Sequence, residues 1–370
     1  MTGHSFRIAA IRGDGIGADV VDAAIAVVEA ARRRVGGFRL DYENLQAGAA
    51  HFRETGRDIA PGAEDAAGAA DAILLGAIGL PGVRHSDGTE ISPHLRLREM
   101  FQLYAGVRPV KAYPNAPQRL ADPSAAEIDF VVLRESTEGL FYSAAVHSRS
   151  EVIGDEEVRE TLRITRATTE KLHDFAFRLA RKRKARGGKG RVTCVDKANV
   201  FRSMAFFRKI FDERAAAFPD IEASYNYVDA QALDLIRKPW EFDVLVMENM
   251  FGDILSDLGG GLVGGMGMAA CAEIGDEHGL FQPAHGSAPD IAGQDSANPL
   301  AAILSAALML EWLAERSGTS APAEAALLVE GAVETGFAAN RLRPVEFGGG
   351  QGTKALTAEL VAIIGEIPVS

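Results

Sequence analysis

FRIAAIRGDGIG, residues 6–17, is the stretch on which the reading of the fold turns. Phe6–Ile11 is a short apolar run of the kind that forms a buried strand, and Gly13, Gly15 and Gly17 close it with a turn. Beyond the turn, Val20, Val21, Ala24, Val27 and Val28 recur on one helical face. A strand, a glycine turn and a helix in this order also open a Rossmann unit. That unit requires the spacing G-x-G-x-x-G and an acidic residue at the end of a second strand. Here the glycines fall as G-x-G-x-G, and no acidic residue stands convincingly at a second strand end. The stretch therefore reads as a tight strand-to-helix turn in an α/β chain, in preference to a classical dinucleotide-binding fingerprint.

The same alternation continues outward. Ala72–Ile78, Ile128–Arg134, Val192–Val195 and Phe242–Met247 are further buried-strand candidates. Helical patterns lie near Glu156–Arg183, Phe201–Phe218 and Phe251–Val263. Strands and helices in turn predict an α/β architecture with mostly parallel pairing. The segment Gly259–Gly267 is too apolar for a linker, so its small residues serve close packing or backbone approach to a ligand.

Composition removes several function classes. A net charge of −12 opposes general binding to a phosphate backbone, so no nucleic-acid partner is expected. One basic run, Arg181, Lys182, Arg183, Lys184, Arg186, Lys189 and Arg191, ends a helical pattern and reads as a solvated helix terminus. No apolar run approaches the roughly 18 residues of a membrane span. The N-terminus lacks the pattern of a secretory signal. Cys194 and Cys271, far apart in apolar surroundings, suit a reducing cytoplasm, so a cytoplasmic location is expected.

The chemistry-bearing residues fall into three sets. Asp253 and Asp257 stand four apart in NMFGDILSD and share one helical face. Two carboxylates so placed repel unless a cation lies between them, and hard oxygens suit Mg²⁺ or Mn²⁺. Taken alone, the pair is also what a solvated helix face carries. Here, though, a buried strand precedes it and Phe251, Ile254, Leu255 and Leu258 surround it. Asp229 follows the strand-like Ser224–Val228, and Lys197 follows a strand directly, at the end where open α/β sheets bind ligands. A lysine near a cation and partly desolvated moves protons near neutral pH, although most strand-end lysines are merely solvated.

Arg98, Arg108 and Arg134 form the second set. Each reads alone as a surface charge, and together they read as a clamp for a ligand bearing carboxylates. The third set is the loop HGSAPDIAG from His285, followed by Asn298-Pro299. Its Gly and Pro residues leave backbone amides open to phosphate or ribose, and Asp290 can accept from both ribose hydroxyls of NAD while repelling the 2′-phosphate of NADP.

Taken in order, GDGIG, VRP, RESTEG, VDKANV, YVDA, NMFGDILSDL, HGSAPDIAG with ANP, and GGGQGT resemble the β-decarboxylating dehydrogenase family. That family takes in 3-isopropylmalate, isocitrate, tartrate and D-malate dehydrogenases, and the likeness spans nearly the whole chain. It implies the isopropylmalate/isocitrate dehydrogenase-like two-domain fold. The first domain would be discontinuous, residues 1–107 and 265–370. The second, 108–264, would be central and carry the contacts of a homodimer with shared active sites. The resemblance implies NAD and Mg²⁺ or Mn²⁺ as cofactors and a malate-like hydroxy acid as substrate. Arg98, Arg108 and Arg134 would hold its carboxylates. Asp253 and Asp257, with Asp229 of the second chain, would hold the metal. Lys197, also of the second chain, would take part in deprotonation. His285, Gly286, Ser287, Ala288, Asp290, Ile291 and Asn298 would line the adenosine site.

Two departures from the family pattern bear on function. The family carries a tyrosine seven residues after the arginine of RE-x-TEG, where this chain has Phe141; either the neighbouring Tyr142 serves after a one-residue shift of the loop, or the protonation step is arranged differently. The segment before Arg98 reads the variable part of the substrate. His94 stands four residues before that arginine, where isopropylmalate enzymes are apolar, and Ser92 six before it; isocitrate enzymes carry Ser six before and Asn four before. The isopropylmalate reaction leads on overall motif match. Tartrate or D-malate oxidation is the rival, with isocitrate behind it. A silent regulatory subunit is disfavoured by the intact Lys197, Asp229, Asp253 and Asp257.

Overall fold

The computed structural model describes residues 4–144 and 150–368. Its strands are β1 (His4–Gly13), β2 (Phe38–Leu45), β3 (Ala72–Ala77), β4 (Ala105–Lys111), β5 (Asp129–Glu135), β6 (Glu151–Ile153), β7 (Glu157–Arg159), β8 (Arg191–Asp196), β9 (Glu222–Tyr227), β10 (Val244–Met247), β11 (Ala270–Ile274) and β12 (Gly279–Pro283). Ten of them form one sheet in the order β2-β1-β3-β12-β11-β4-β5-β10-β8-β9, and β6 pairs with β7 apart from it. Both wings are parallel, as the alternation predicts. The centre is not. Strand β11 runs antiparallel to both β12 and β4, and β4 antiparallel to β5. The four residues joining β11 to β12 are too few for a parallel crossover, so that pair must be a hairpin.

The helices are α1 (Gly17–Val35), α2 (Ala49–Thr55), α3 (Ala63–Ala69), α4 (Pro93–Met100), α5 (Phe141–Ala144), α6 (Arg166–Ala185), α7 (Arg202–Ala215), α8 (Val228–Arg237), α9 (Asn249–Leu262), α10 (Leu300–Ser317), α11 (Ala321–Ala338) and α12 (Thr353–Glu366). The helix expected from Glu156 starts only at Arg166. Thr165 caps it by accepting from the Thr168 amide, and Glu138 in turn fixes Thr165. No helix among the described residues is long and apolar enough to cross a membrane.

The two-residue period of the central strands sorts their side chains onto two faces. On the back face, Val131 and Leu133 of β5 and Ala272 and Ile274 of β11 join one large apolar cluster with α1, α6, α7, α10, α11 and α12. On the front face the apolar residues form two separate clusters. One draws only on residues between Val110 and Val263, including Phe130 and Val132 of β5. The other draws on residues between Ala9 and Leu103, together with Leu280. Between these front clusters lies the polar patch described below.

The GDGIG turn is structural, as its spacing suggests. Gly13 and Gly15 have positive φ, and a Cβ on either would strike a carbonyl, of Ala77 or of Ser287. The amides of Asp14, Ile16 and Gly17 are donated to the Ala77, Ser287 and Asp14 carbonyls, so these three are committed within the protein. Asp14 is buried and accepts from the Ala49, Ala50 and Gly79 amides, each at 2.8 Å. The turn thereby anchors the His285 loop to the start of α1.

Candidate active site

Strands β4, β5 and β11 bring the arginines together. Arg108 lies on β4, Arg134 near the end of β5, and Arg98 in the last turn of α4. All three are nearly inaccessible, at 5%, 6% and 2% exposure for Arg98, Arg108 and Arg134. Three buried guanidiniums demand counter-charge. Part of it is Glu273 on β11, fully buried, whose Oε1 lies 2.8 Å from Arg98 and 3.7 Å from Arg108. Across the sheet Glu273 pairs with Gly106 and Gly106 with Arg134, so the three stand in one row. Gly106 lacks the Cβ that would press on Glu273 and Arg134 from between them.

Helix α9 closes this patch from the front. Glu248 caps the helix by accepting from the Phe251 amide at 3.0 Å. Gly252 lets the helix lie against Arg134, whose side chain would meet a Cβ there at 2.6 Å. Asn249, fully buried, accepts from Arg134 Nε at 2.8 Å and donates to the Glu138 carbonyl at 3.0 Å. One turn further on, Asp253 pairs with Arg134 and lies 3.7 Å from Arg108. Asp257 is exposed on the same face. Partial burial and the neighbouring Asp253 carboxylate raise its pKa against the pull of Arg108 and Arg134. Burial, then Arg108 and Arg98, bring Arg134 down to about 10, so it stays charged at neutral pH in a field with too much positive charge. The Nε atoms of Arg98 and Arg108 are buried with no hydrogen-bond partner among the described residues. Buried donors of this kind call for a partner, which ordered water, an ion or a ligand can supply.

His94 lies one turn before Arg98 on α4 and faces the same patch. Its Nδ1 is enclosed and unpartnered, and burial together with Arg98 takes the ring down to about 3, so it is neutral. Ser92 precedes the helix and is half-buried.

Lys197 and Asp229 form their own pair, Nζ to Oδ1 at 2.5 Å. Among the described residues, no three His, Cys, Asp or Glu side chains of one chain converge as a metal-holding group. Within one chain, then, Asp229 does not join Asp253 and Asp257. The neighbouring aromatics also separate: the ring of Phe141, not Tyr142, packs against Arg134, with 4.9 Å from the guanidinium carbon to the ring centre. Tyr142 lies under Arg163 at 3.8 Å.

The third set follows β12. Ala288 adopts a left-handed backbone, Gly286, Asp290 and Ile291 are exposed, and Ser287 donates to the Gly79 carbonyl. Asn298 is committed internally, donating to Glu346 at 2.8 Å and accepting from the Leu300 amide at 3.2 Å. His285 Nε2 is buried and unpartnered. Glu346 also takes the Gly267 amide at 3.2 Å, and a Cβ on Gly265 or Gly267 would collide with its carboxylate, which accounts for the small residues there.

Sequence reading missed Glu273, Glu346 and Asn249. A signal existed for Glu273: one carboxylate inside the otherwise apolar run ACAEI. A lone acid at an inward strand position requires a buried cation.

The family model for isocitrate/isopropylmalate dehydrogenases matches residues 7–364. This chain belongs to the isocitrate/isopropylmalate dehydrogenase family. As a member it is an oxidoreductase acting on a CH–OH carbon. The 3-isopropylmalate/3-methylmalate dehydrogenase of Methanocaldococcus jannaschii is 41% identical over 362 residues, covering 97% of this chain and 99% of that protein. The 3-isopropylmalate dehydrogenase of Carboxydothermus hydrogenoformans is 39% identical, covering 90% and 88%. Among solved structures, the isocitrate dehydrogenase of Methylococcus capsulatus superposes with a TM-score of 0.82 at 33% identity, covering 97% of this chain and 99% of that one. A β-decarboxylating dehydrogenase of Thermococcus kodakarensis gives 0.77 at 33% identity, covering 98% and 96%.

Proposed function

We propose that the protein oxidises and decarboxylates a 3-substituted malate, of the 3-isopropylmalate type, using NAD and Mg²⁺ or Mn²⁺. One observation carries the reading: three buried guanidiniums, two with unsatisfied Nε–H donors, stand beside a carboxylate pair on α9. A dicarboxylate satisfies those donors and balances their charge.

The donor set fits a divalent cation. Asp253 and Asp257 are two hard oxygen ligands whose mutual repulsion a cation relieves. Asp229 of a second copy would complete the set. When bound, the metal supplies Lewis acidity at the substrate's hydroxyl oxygen and α-carboxylate. The loop suits a dinucleotide: exposed Asp290 for the ribose diol, Gly286 and Ile291 open to solvent, and the orphaned His285 Nε2 as a hydrogen-bonding atom. Arg98, Arg108 and Arg134 bind and orient the carboxylates. Lys197 of the second copy takes the hydroxyl proton, with Asp229 keeping its amine in place. Phe141 has no proton to give, and Tyr142, whose ring lies under Arg163, is the neighbouring phenol that carries one.

A second copy is supported by the large apolar side chains left exposed on the same elements: Val200 and Phe201 after Lys197, Leu233 and Ile236 on α8, and Ile254 on α9. The division into residues 1–107 with 265–370 and 108–264 is part of the same reading, supported by the separated front clusters. Neutral His94 favours a second substrate reading, a smaller or more polar malate such as D-malate or tartrate.

NADH formation with Mn²⁺ tests these readings, with isopropylmalate, D-malate, tartrate and isocitrate in parallel. Turnover of isopropylmalate above the others is expected. A tartrate or D-malate preference selects the second reading, and no turnover with any of the four rejects both. In the same assay, chains carrying Lys197→Met and chains carrying Asp253→Asn, each inactive alone, should recover up to about half of wild-type activity when re-associated as mixed dimers. Absence of recovery removes the shared site.

A further inference from the structure

Glu273 is inaccessible to solvent within the arginine cluster. It is fully buried on an antiparallel central strand, holds Arg98 at 2.8 Å and Arg108 at 3.7 Å through one oxygen, and stands in the same cross-strand row as Arg134. It does not leave this place when a ligand arrives, because the sheet fixes its backbone and Gly106 supplies the gap its side chain fills. Burial alone would push its carboxyl up. Arg98, Arg108 and Arg134 outweigh that and hold it below the ordinary glutamate value, so it is ionised. Asp253 also touches the cluster, but in the proposed function it belongs to the cation site. With the cation in place, the groups in direct contact, three guanidiniums and one permanent carboxylate, carry a formal surplus of two positive charges.

We propose that Glu273 is a positioning residue that sets the charge of the arginine cluster at two, and so selects a dianionic ligand over a trianionic one. The inference rests on the proposed function in one respect, that the arginines bind ligand carboxylates. A third carboxylate on the ligand would meet neutral His94 and the field of Glu273, while the three arginines are already matched by Glu273 and two ligand carboxylates. Buried charge left unmatched is strongly disfavoured, and selection against a wrong ligand commonly works by such a mismatch. Isocitrate-type tricarboxylates would be rejected for this reason, apart from any question of pocket shape.

Methylsuccinate and tricarballylate provide the test. They share a succinate skeleton and differ in whether the branch carries a third carboxylate. Calorimetric Kd values are measured for both on the full chain with saturating Mg²⁺, without turnover. Wild type should prefer methylsuccinate by roughly tenfold or more, and Glu273→Gln should move the ratio toward tricarballylate by at least about tenfold. Glu273→Asp, which keeps the charge and shortens the reach, should weaken both ligands and keep the wild-type preference. A merely structural role predicts equal losses for both ligands in both variants, and that outcome overturns the proposal. Should Glu273→Gln fail to fold, the wild-type ratio still decides, because equal or reversed affinities contradict a cluster set at two charges. Binding of neither ligand to wild type rejects the carboxylate-clamp reading itself, and the Glu273 inference with it. Binding with an unmoved ratio rejects only the latter.

Discussion

Strands β4, β5 and β11 show two faces that handle charge in opposite ways. On the front, Arg98, Arg108 and Arg134 are buried around Glu273 and Asp253, with guanidinium donors left unsatisfied. On the back, a groove between α6 and α10–α11 holds cavities of about 330 and 300 Å³, and four of its cations, Lys111, Lys182, Arg183 and Arg186, are matched. Lys182 bridges Glu311 at 3.1 Å and also Glu315, and Arg186 reaches Glu311 at 2.9 Å. Arg183 holds Asp129 at 3.0 Å and Asp243 at 2.6 Å, and Lys111 holds Glu334 at 2.9 Å. Matched charge is structure. Surplus charge in a dry place is a cost that folding carries for the sake of a ligand.

The sharpest way to break this contrast is to remove a cation from each face. On the front, Arg134→Met should lower kcat/KM by about 10³-fold or more, because a buried guanidinium is lost where the substrate's charge is held. Its melting temperature should equal or exceed that of wild type, since burial and two like charges already disfavour the Arg134 cation. A drop beyond about 5 °C by calorimetry would make the arginine structural and dissolve the distinction.

The back face should behave conversely, with a smaller effect. Glu311 is mostly buried, and Lys182 and Arg186 outweigh the desolvation that would raise its carboxyl. Glu311→Ala leaves both cations without their shared partner. A stability loss of about 1–3 kcal/mol is expected by denaturant titration, discounted because both cations keep partial solvent contact. The kcat/KM should stay within about twofold of wild type. A tenfold loss of activity at unchanged stability would show that the back groove works on the reaction after all.

This contrast also explains what was legible in the sequence. Local pattern placed β5 (IDFVVLR) and α9 within two residues, and it separated GDGIG from a phosphate cradle because glycine spacing is itself a local property. The arginines were singled out as cations at expected element ends, which holds for Arg98 and Arg134, whereas Arg108 lies in the middle of β4. Pairings over long separations were not legible. The basic run at the end of α6 was expected to be solvated. Its partners Asp220, Asp129, Asp243, Glu311 and Glu315 lie 36 to 133 residues away, and only the sheet order brings them near. The antiparallel centre escaped for the same reason, and with it Glu273, whose significance depends on β11 lying next to β4.

One group on the back face is left over, and it gives the smallest but cleanest test. Glu330 on α11 lines the groove beside Glu311, Arg186, Lys111 and Lys182, and burial followed by repulsion from Glu311 pushes its carboxyl up to about 7. In the unfolded chain the same carboxyl loses its proton near 4.5. Between those values the folded state binds the extra proton, so stability falls as pH rises from about 4.5 to 7 and is level above that. Glu135, also raised to about 7 by burial, acts in the same direction, so only the difference between variant and wild type isolates Glu330. Glu330→Gln should be close to neutral at pH 5 and more stable than wild type at pH 8. The gain is about 1–2 kcal/mol after discounting the full shift for remaining solvent contact. A difference that does not change with pH would mean that Glu330 is ionised and matched by Arg186 and Lys111, and the back face would then be balanced without exception.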